Sequence, residues 1–451
     1  MKIVIIGMGT IGTTVLGELL SESHDVTVID QSKEIIEELI ERFDVSGVVG
    51  NGANMEIQRE AGVQDADLVI SLTDSDELNI FACMVARKTG AESTIARVRN
   101  PDYSDQIAEM KDDLGISMLV NPEKDTADEI FNLINLPSIV QVEQFAKGRV
   151  LLVEIVAEAG CPLIGETLVS LGKKLSSRVL ICAVERNGEV YIPSGNFAIA
   201  EGDKIHFTSD VQTLGDFLSE ANLVKSPLKN VMIVGGGKTA LYLADKLSGK
   251  KYRVKLIESD LRQAEALAED LPHVTVVHGN GLRHDVLIEE GIEAMDAFVS
   301  LTGLDEENMV VSMFASKMRV KKTITQITSD DLYGMLEELG MHNNVSPKHI
   351  VANRVISYAR ALANKRGSNV LTLSRLVDGR VEALEFSAKT QEKIYNKPLR
   401  ELHMKENCLI ACIIRENEVI IPDGNSCIQQ GDNVIVVTTH RNFDDLMDIF
   451  G

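Results

Sequence analysis

Lys2-Ile3-Val4-Ile5-Ile6-Gly7-Met8-Gly9-Thr10-Ile11-Gly12, then a helical stretch, then Asp25-Val26-Thr27-Val28-Ile29-Asp30, is the segment that decides this fold. Lys2 to Ile6 is a short β-branched run, as expected of a strand buried on both faces. Gly7, Gly9 and Gly12 follow at G-x-G-x-x-G spacing. The first glycine makes a tight turn, the second lets a pyrophosphate approach the backbone, and the third lets the next helix pack close to the sheet. Val26 to Ile29 reads as the second strand. Asp30 stands at its carboxyl end, where a carboxylate accepts hydrogen bonds from both hydroxyls of an adenosine ribose. Strand, helix, strand and acid in register point to adenine-nucleotide binding. The plainer alternative is the same unit kept only as a scaffold.

A chain of 451 residues exceeds one ordinary core, so two to four domains are expected. Hydrophobic residues at 44% and charged residues at 25% are typical of a soluble globular protein. Aromatics make up 4% and Trp is absent, so β-branched residues carry the apolar pattern, which suits parallel sheets. A formal net charge of −23 argues against nucleic acid as a partner. It suits a basic partner surface, such as the cytoplasmic loops of a membrane protein, or simply solubility. The six cysteines form neither C-x-x-C nor zinc-type spacing, and Cys408 and Cys412 read as buried thiols. No signal peptide is expected, and no apolar run approaches the roughly 18 residues of a membrane span, so the expected location is cytoplasmic.

Beyond Asp30, an amphipathic helix is expected over 32–43 with Ile35, Ile36, Leu39 and Ile40 inward. A short strand is expected over 46–54, ending in Gly50-Asn51-Gly52, and further strands at 68–73, 94–98 and 117–120, with helices at 79–88, 102–114 and from Asn121-Pro122-Glu123 to about Leu136. Strands alternating with helices over this length mean a doubly wound parallel sheet. Near Pro137 the texture changes to strands and turns: a strand over 149–156, a short helix over 165–171, a hairpin turning at Asn187-Gly188, and a final strand over 204–208. This is a small α+β lobe.

The plan then restarts. Val231 to Gly237 (VMIVGGG) repeats the first strand and its turn, and Glu258 stands where Asp30 stood. Gly279-Asn280-Gly281 matches Gly50-Asn51-Gly52, Thr302 matches Thr73, and Ser346-Pro347-Lys348 matches Asn121-Pro122-Glu123. In the tail, Asn417-Glu418, Pro422 to Asn425 and Gly431-Asp432 match Asn187-Gly188, Pro193 to Asn196 and Gly202-Asp203. The offset stays near 228 or 229 over most of the length, so the chain is a duplication. The fold class is α/β: a duplicated Rossmann-like doubly wound sheet, each copy followed by a small α+β lobe. The expected domains are 1–136, 137–223, 228–364 and 365–451, with the copies joined near 224–229.

Comparing the copies separates what the fold needs from what a ligand needs. Both keep the glycine turn, the acid after the second strand, G-N-G, and the Thr after the fourth strand. All belong at the carboxyl edge, where the crevice of such a sheet forms. Thr73 and Thr302 can donate a hydroxyl there, and Asn51 and Asn280 can cap a phosphate or the adenine edge. Asp74 is either an N-cap for the next helix or a ligand contact. The differences matter too. Arg97, suited to a phosphate, becomes Gln326, and Asp74 becomes Gly303. Glu123, suited to a magnesium ion or a ribose, becomes Lys348, while Lys238 enters the second glycine turn. Two non-equivalent sites follow, the first richer in phosphate-binding charge. The second takes a different nucleotide or is degenerate and empty.

With GMGTIG, VVGNG, IARVR and PSGN…EGDK on two Rossmann units and two small lobes, the whole chain resembles the TrkA-type regulatory subunits of Trk potassium uptake, built of tandem RCK (KTN) domains. The resemblance implies a cytoplasmic protein peripheral to the inner face of the membrane. It also implies a homo-oligomeric ring, a tetramer, under a potassium-conducting membrane subunit of the TrkH/TrkG type. It implies ATP, ADP or NAD(H) in the crevices, with Mg2+ accompanying the nucleotide. Carried over by position, contacts fall at Gly7, Met8, Gly9, Thr10, Ile11, Asp30, Thr73, Asp74 and Arg97, and in the second copy at Gly235, Gly237, Lys238, Glu258 and Thr302. The small lobes resemble lobes that pair with one another and in some relatives bind cyclic dinucleotides.

The competing class is an NAD-dependent oxidoreductase, which needs an acid or base aimed at the nicotinamide. His403 and His440 lack counterparts in the first lobe, where His206 lies within a strand. A P-loop is missing as well, because Gly235-Gly236-Gly237-Lys238-Thr239 fails the x4 spacing. The expected role is gating rather than catalysis. A sensor of the NADH/NAD ratio is a variant of it.

Overall fold

The computed structural model describes residues 1–223, 227–249, 251–364, 370–377, 379–389, 393–416, 418–441, 443 and 445–450. The expected joint at 224–229 and the Asn417 turn position therefore lie partly or wholly outside the described residues. Contacts divide the chain into two units. One joins Met1–Asn135 with Leu228–Ile356, and the other joins Leu136–Pro227 with Ser357–Gly451.

The first unit holds both parallel sheets. In copy one the chain runs β1 (Lys2–Ile6), α1 (Thr10–Ser21), β2 (Asp25–Asp30), α2 (Lys33–Arg42), β3 (Ser46–Val49) and α3 (Met55–Glu60). It continues through β4 (Leu68–Ser71), α4 (Asp76–Thr89), β5 (Ser93–Arg97), α5 (Pro101–Met110), β6 (Met118–Val120) and α6 (Pro122–Asn135). The strand order is β3-β2-β1-β4-β5-β6, so the order reverses between β1 and β4 and a crevice opens at their carboxyl ends.

Two expectations need correcting. Ile40 points outward at 47% exposure, and α2 buries only Ile36 and Leu39. The strand expected over 46–54 stops at Val49, because Asn51 Oδ1 accepts the Ala53 amide at 2.9 Å and Asn54 caps α3.

The small lobe that follows belongs to the second unit. It contains β7 (Gln141–Phe145), β8 (Val150–Val156), α7 (Leu168–Lys174), β9 (Leu180–Arg186), β10 (Glu189–Tyr191), β11 (Lys204–Asp210) and α8 (Val211–Glu220). Its antiparallel order is β10-β9-β11-β8-β7. Asn187 (φ 52°) and Gly188 (φ 78°) make the hairpin turn with left-handed φ at both positions. The helix expected over 165–171 begins at Leu168 instead, because Gly165 is left-handed (φ +82°) and Thr167 caps the amide of Ser170. Helix α8, not expected from the sequence, is capped by Asp210, which accepts the Gln212 and Thr213 amides.

Copy two repeats both plans. Its parallel part is β12 (Asn230–Val234), α9 (Lys238–Ser248), β13 (Arg253–Glu258), α10 (Leu261–Asp270), β14 (Thr275–His278) and α11 (His284–Glu289). Then come β15 (Ala297–Ser300), α12 (Asp305–Lys317), β16 (Lys322–Gln326), α13 (Asp330–Glu338), β17 (Asn344–Val345) and α14 (Pro347–Asn364). The sheet order, β14-β13-β12-β15-β16-β17, is that of copy one. The second small lobe has β18 (Val370–Leu376), β19 (Val381–Ser387), β20 (Cys408–Arg415), β21 (Glu418–Ile420) and β22 (Asn433–Thr438).

Within the first unit the two copies share a core. The apolar face of α6 (Ala127, Ile130, Phe131, Ile134) is buried in one cluster with Leu243, Ala244 and Leu247 of α9. Burying such a face is worth about 1.5–3 kcal/mol per large side chain, enough to hold the copies together. Polar contacts frame it: Tyr252 Oη donates to Asn135, Asn121 Nδ2 donates to Tyr242 Oη, and Arg354 pairs with Asp125.

Within the second unit the two small lobes also share a core, including Cys182, Ala183, Ala411 and Cys412. Thr208 Oγ1 donates to the Ala411 carbonyl at 2.9 Å across it. Burial pushes both thiols up to about 12, so they serve as small apolar groups. The repeated Gly-Asp of each tail is a structural clamp. Buried Asp203 takes Arg186 in two bonds of 2.7 Å, and buried Asp432 takes Arg415 at 3.0 and 2.9 Å.

Candidate binding cleft

β1 ends in a turn that only glycine can make. Gly7 has φ +90°, and a Cβ there would stand 2.8 Å from the Thr73 nitrogen. The chain then enters α1 with Gly9 at the N-cap. No side chain caps this helix, and no acidic residue occupies its first turn. By contrast, Ser32 caps α2 and Ser75 caps α4. Open first-turn amides at the positive end of a helix dipole make an anion site.

Asp30 closes one side. Its Oδ2 accepts the Met8 amide at 2.8 Å and its Oδ1 the Ser32 amide at 2.9 Å. Each carboxylate oxygen has a second lone pair, so both keep capacity for a ribose hydroxyl.

Opposite, Asn79 ties β4 to β5. Its Oδ1 accepts the Thr73 amide (2.8 Å) and hydroxyl (2.7 Å), and its Nδ2 donates to the carbonyls of Thr73 and Arg97, each at 3.0 Å. Asp76 Oδ2 accepts the Arg99 and Asn100 amides at 2.8 Å each. Both devices recur in copy two, where Asn308 joins Thr302 to Gln326 and Asp305 accepts the Thr328 and Ser329 amides.

Arg97 leaves β5 into the same space. Its guanidinium lies 3.5 Å from Asp74 and 4.0 Å from Glu123. Burial lowers its pKa, and neighbouring Arg99 adds to that, while the carboxylates oppose it. Its Nε is buried without a hydrogen-bond partner, as is Glu123 Oε2. Burial raises the Glu123 carboxyl, against its own backbone amide, Arg97, Arg99 and Lys238. Among the described residues no cluster of three or more His, Cys, Asp or Glu side chains is placed to hold a metal ion.

These elements enclose a cleft of about 580 Å³, in the range that holds small molecules. Gly7, Met8, Gly9, Thr10, Ile11, Asp30, Thr73, Asp74 and Arg97 line it. Gly12, Asn51 and Glu123 are not among its lining residues. Gly12 lies against the Gly7 carbonyl, where a side chain would push α1 away. Asn51 and Asn280 satisfy the amides of Ala53 and Leu282. The Thr73 hydroxyl is already donated to Asn79, and that of Thr302 to the Leu304 carbonyl. Ser75, not Asp74, caps α4, which leaves Asp74 exposed and facing Arg97.

In copy two, Gly235 (φ +99°) turns against Leu301, and Glu258 accepts the amides of Gly236 at 2.6 Å and Asp260 at 2.7 Å. Gly237 heads α9 without a side-chain cap, and Lys238 is exposed as its first residue. Gln326 Oε1, at the position of Arg97, is buried without a partner.

Sequence reasoning missed two groups. The Asn79/Asn308 and Asp76/Asp305 pairs recur at the repeat offset and could have been found by it. Thr328, Pro347 and Lys348 of copy two line the cleft of copy one, which sequence spacing cannot reveal.

Fold and cleft together define a tandem dinucleotide-fold protein with paired small lobes. The TrkA-N domain model matches residues 3–122 and 231–347, and the TrkA-C domain model matches 152–222 and 384–451. The chain belongs to the TrkA family. It is 31% identical over 445 residues to the Trk system potassium uptake protein TrkA of Haemophilus influenzae, covering 98% of this chain and 96% of that one. It is 32% identical over 445 residues to the TrkA homolog 1 of Methanosarcina mazei, covering 97% of each. Among solved structures, the GsuK channel matches with TM-score 0.66 at 17% identity, covering 97% of this chain and 76% of that one. The GsuK RCK domain matches with TM-score 0.65, also at 17% identity, covering 97% and 92%.

Proposed function

We propose that this chain is a nucleotide-responsive regulatory subunit of a Trk-type potassium uptake system, acting at the cytoplasmic face of a membrane transport subunit. The observation that carries the nucleotide assignment is the uncapped glycine-turn helix α1, flanked by Asp30 and by the partly unpartnered guanidinium of Arg97. An adenine nucleotide fits this set. Its ribose meets Asp30, and its phosphates meet the α1 amides and Arg97, with the terminal phosphate nearest Arg97. Solved GsuK structures described as bound to NAD and to ADP support the assignment of ligand class. The relatives named for potassium uptake support the assignment of the process. Among the described residues no helix is long and apolar enough to cross a membrane.

Assembly into a ring is supported by apolar side chains repeated in both copies. Phe81 and Met84 of α4 are exposed, as are Val310 and Met313 at the matching positions of α12. Such patches mark association surfaces. Gating then follows from linkage: a nucleotide biases the ring only by the difference in its affinity for two ring states.

The test is a thermal-shift panel of ATP, ADP, NAD and NADH with and without magnesium, followed by co-purification with the membrane subunit. Stabilisation by at least one nucleotide and capture of the transporter are expected. Steady turnover of alcohols or hydroxy acids with NAD would overturn the regulatory reading in favour of a dehydrogenase.

A further inference from the structure

The lining of the first cleft is not built by copy one alone. Thr328, Pro347 and Lys348 of copy two form part of it. Pro347 opens α14, so the start of that helix brings Lys348 into the lining of the other copy's cleft. The Lys348 side chain is only 9% exposed, and its Nζ lies 2.9 Å from Asp330 Oδ2, a carboxylate that is 68% exposed. His349 shares the same carboxylate, with Nε2 2.8 Å from Asp330 Oδ1. A nearly buried ammonium therefore leans on one solvent-screened acid beside a cleft of open helix amides.

The exchange runs both ways with opposite sign. Glu123, which occupies the position of Lys348 in copy one, lies within electrostatic reach of Lys238, the first residue of α9 in copy two. Copy one thus places a carboxylate within electrostatic reach of α9 in copy two, and copy two places an ammonium in the lining of the first cleft. An ammonium acts on phosphate as a compact point charge, whereas the Arg97 fork acts from the cleft's own sheet.

We propose that Lys348 is a phosphate-binding residue of the first cleft, supplied by the second copy, and that it sets the preference of that cleft for nucleotides with terminal phosphates over bare adenosine. This rests on the reading that the cleft takes an adenine nucleotide. When phosphate enters, Lys348 exchanges Asp330 for the ligand, so occupancy of copy one is felt at the start of α14 in copy two.

The test uses the full chain carrying Glu258→Ala, which weakens the second site. ATP and adenosine are titrated calorimetrically in EDTA, so that no divalent ion supplies the charge. Lys348→Met, which keeps the apolar stem, is expected to weaken ATP at least tenfold and to leave adenosine within about twofold. Asp330→Asn, which frees the ammonium, is expected to tighten ATP severalfold and guards against misfolding of the first variant. Unchanged ATP affinity in both variants overturns the role of Lys348 while the nucleotide cleft stands. A parent chain that binds neither compound overturns the cleft assignment and this proposal with it.

Discussion

Gly7 and Thr73 approach so closely that the turn between β1 and α1 has no room for a methyl group, since a Cβ on Gly7 would lie 2.8 Å from the Thr73 nitrogen and 2.9 Å from its Cα. The φ of +90° adds backbone strain for any L side chain. Gly7→Ala should therefore cost about 1–3 kcal/mol and displace the phosphate turn. Gly17, inside α1, has nothing within 4 Å of an added Cβ, so Gly17→Ala should stabilise by about 0.5–1 kcal/mol. Paired urea melts of the two variants check the contrast in sign.

Asn79 satisfies groups on two strand ends at once. Asn79→Ala leaves the Thr73 amide and two carbonyls without their partner at a buried side chain. A loss of about 2 kcal/mol is expected, together with weaker nucleotide binding, because Thr73 and Arg97 both line the cleft. Asn308→Ala should destabilise somewhat less, since Asn308 has the amide and carbonyl bonds but lacks the two hydroxyl bonds that Asn79 receives from Ser71 and Thr73. Thermal midpoints and calorimetry on both variants separate the shared fold effect from the first-cleft effect.

Asp30 and Arg97 should fail in different ways. Asp30 would hold the ribose, which every adenine nucleotide carries, so Asp30→Ala should weaken ATP, ADP and NADH together by roughly 10- to 100-fold. Arg97 would discriminate at the terminal phosphate, so Arg97→Ala should bring ATP and ADP to equal affinity. Equal losses for the two nucleotides in Arg97→Ala would remove the terminal-phosphate assignment.

His206 should make the small lobes sensitive to acid. It is buried on β11 with Nε2 unpartnered, and burial, with Lys204 adding, pushes it from 6.5 down to about 3. The unfolded chain takes up this proton near pH 6.5, and the folded one only near 3. Its contribution is therefore complete above pH 6.5 and falls by about 1.4 kcal/mol per pH unit as the pH drops toward 3. His206→Gln should flatten this slope between pH 6.5 and 5, as measured by urea midpoints across that range. A slope identical to that of the parent would place the acid sensitivity elsewhere.

The sequence by itself determined the duplication, through its constant offset, and the doubly wound class, the glycine turns and the acids Asp30 and Glu258, because these depend on local spacing within a βαβ unit; the strand order came from the structure. It overextended the third strand past Val49 and misplaced Ile40, because Asn51 and Asn54 divert the chain through side-chain caps that periodicity does not register. Only the tertiary structure decided which copy owns which residue. Lys348 differs from its repeat partner Glu123 in plain view of the sequence, yet its charge belongs to the other copy's cleft. The physical reason is that the copies bury a shared core through α6 and α9. That packing brings residues far apart along the chain to one crevice, and no pattern of neighbours in the sequence encodes it.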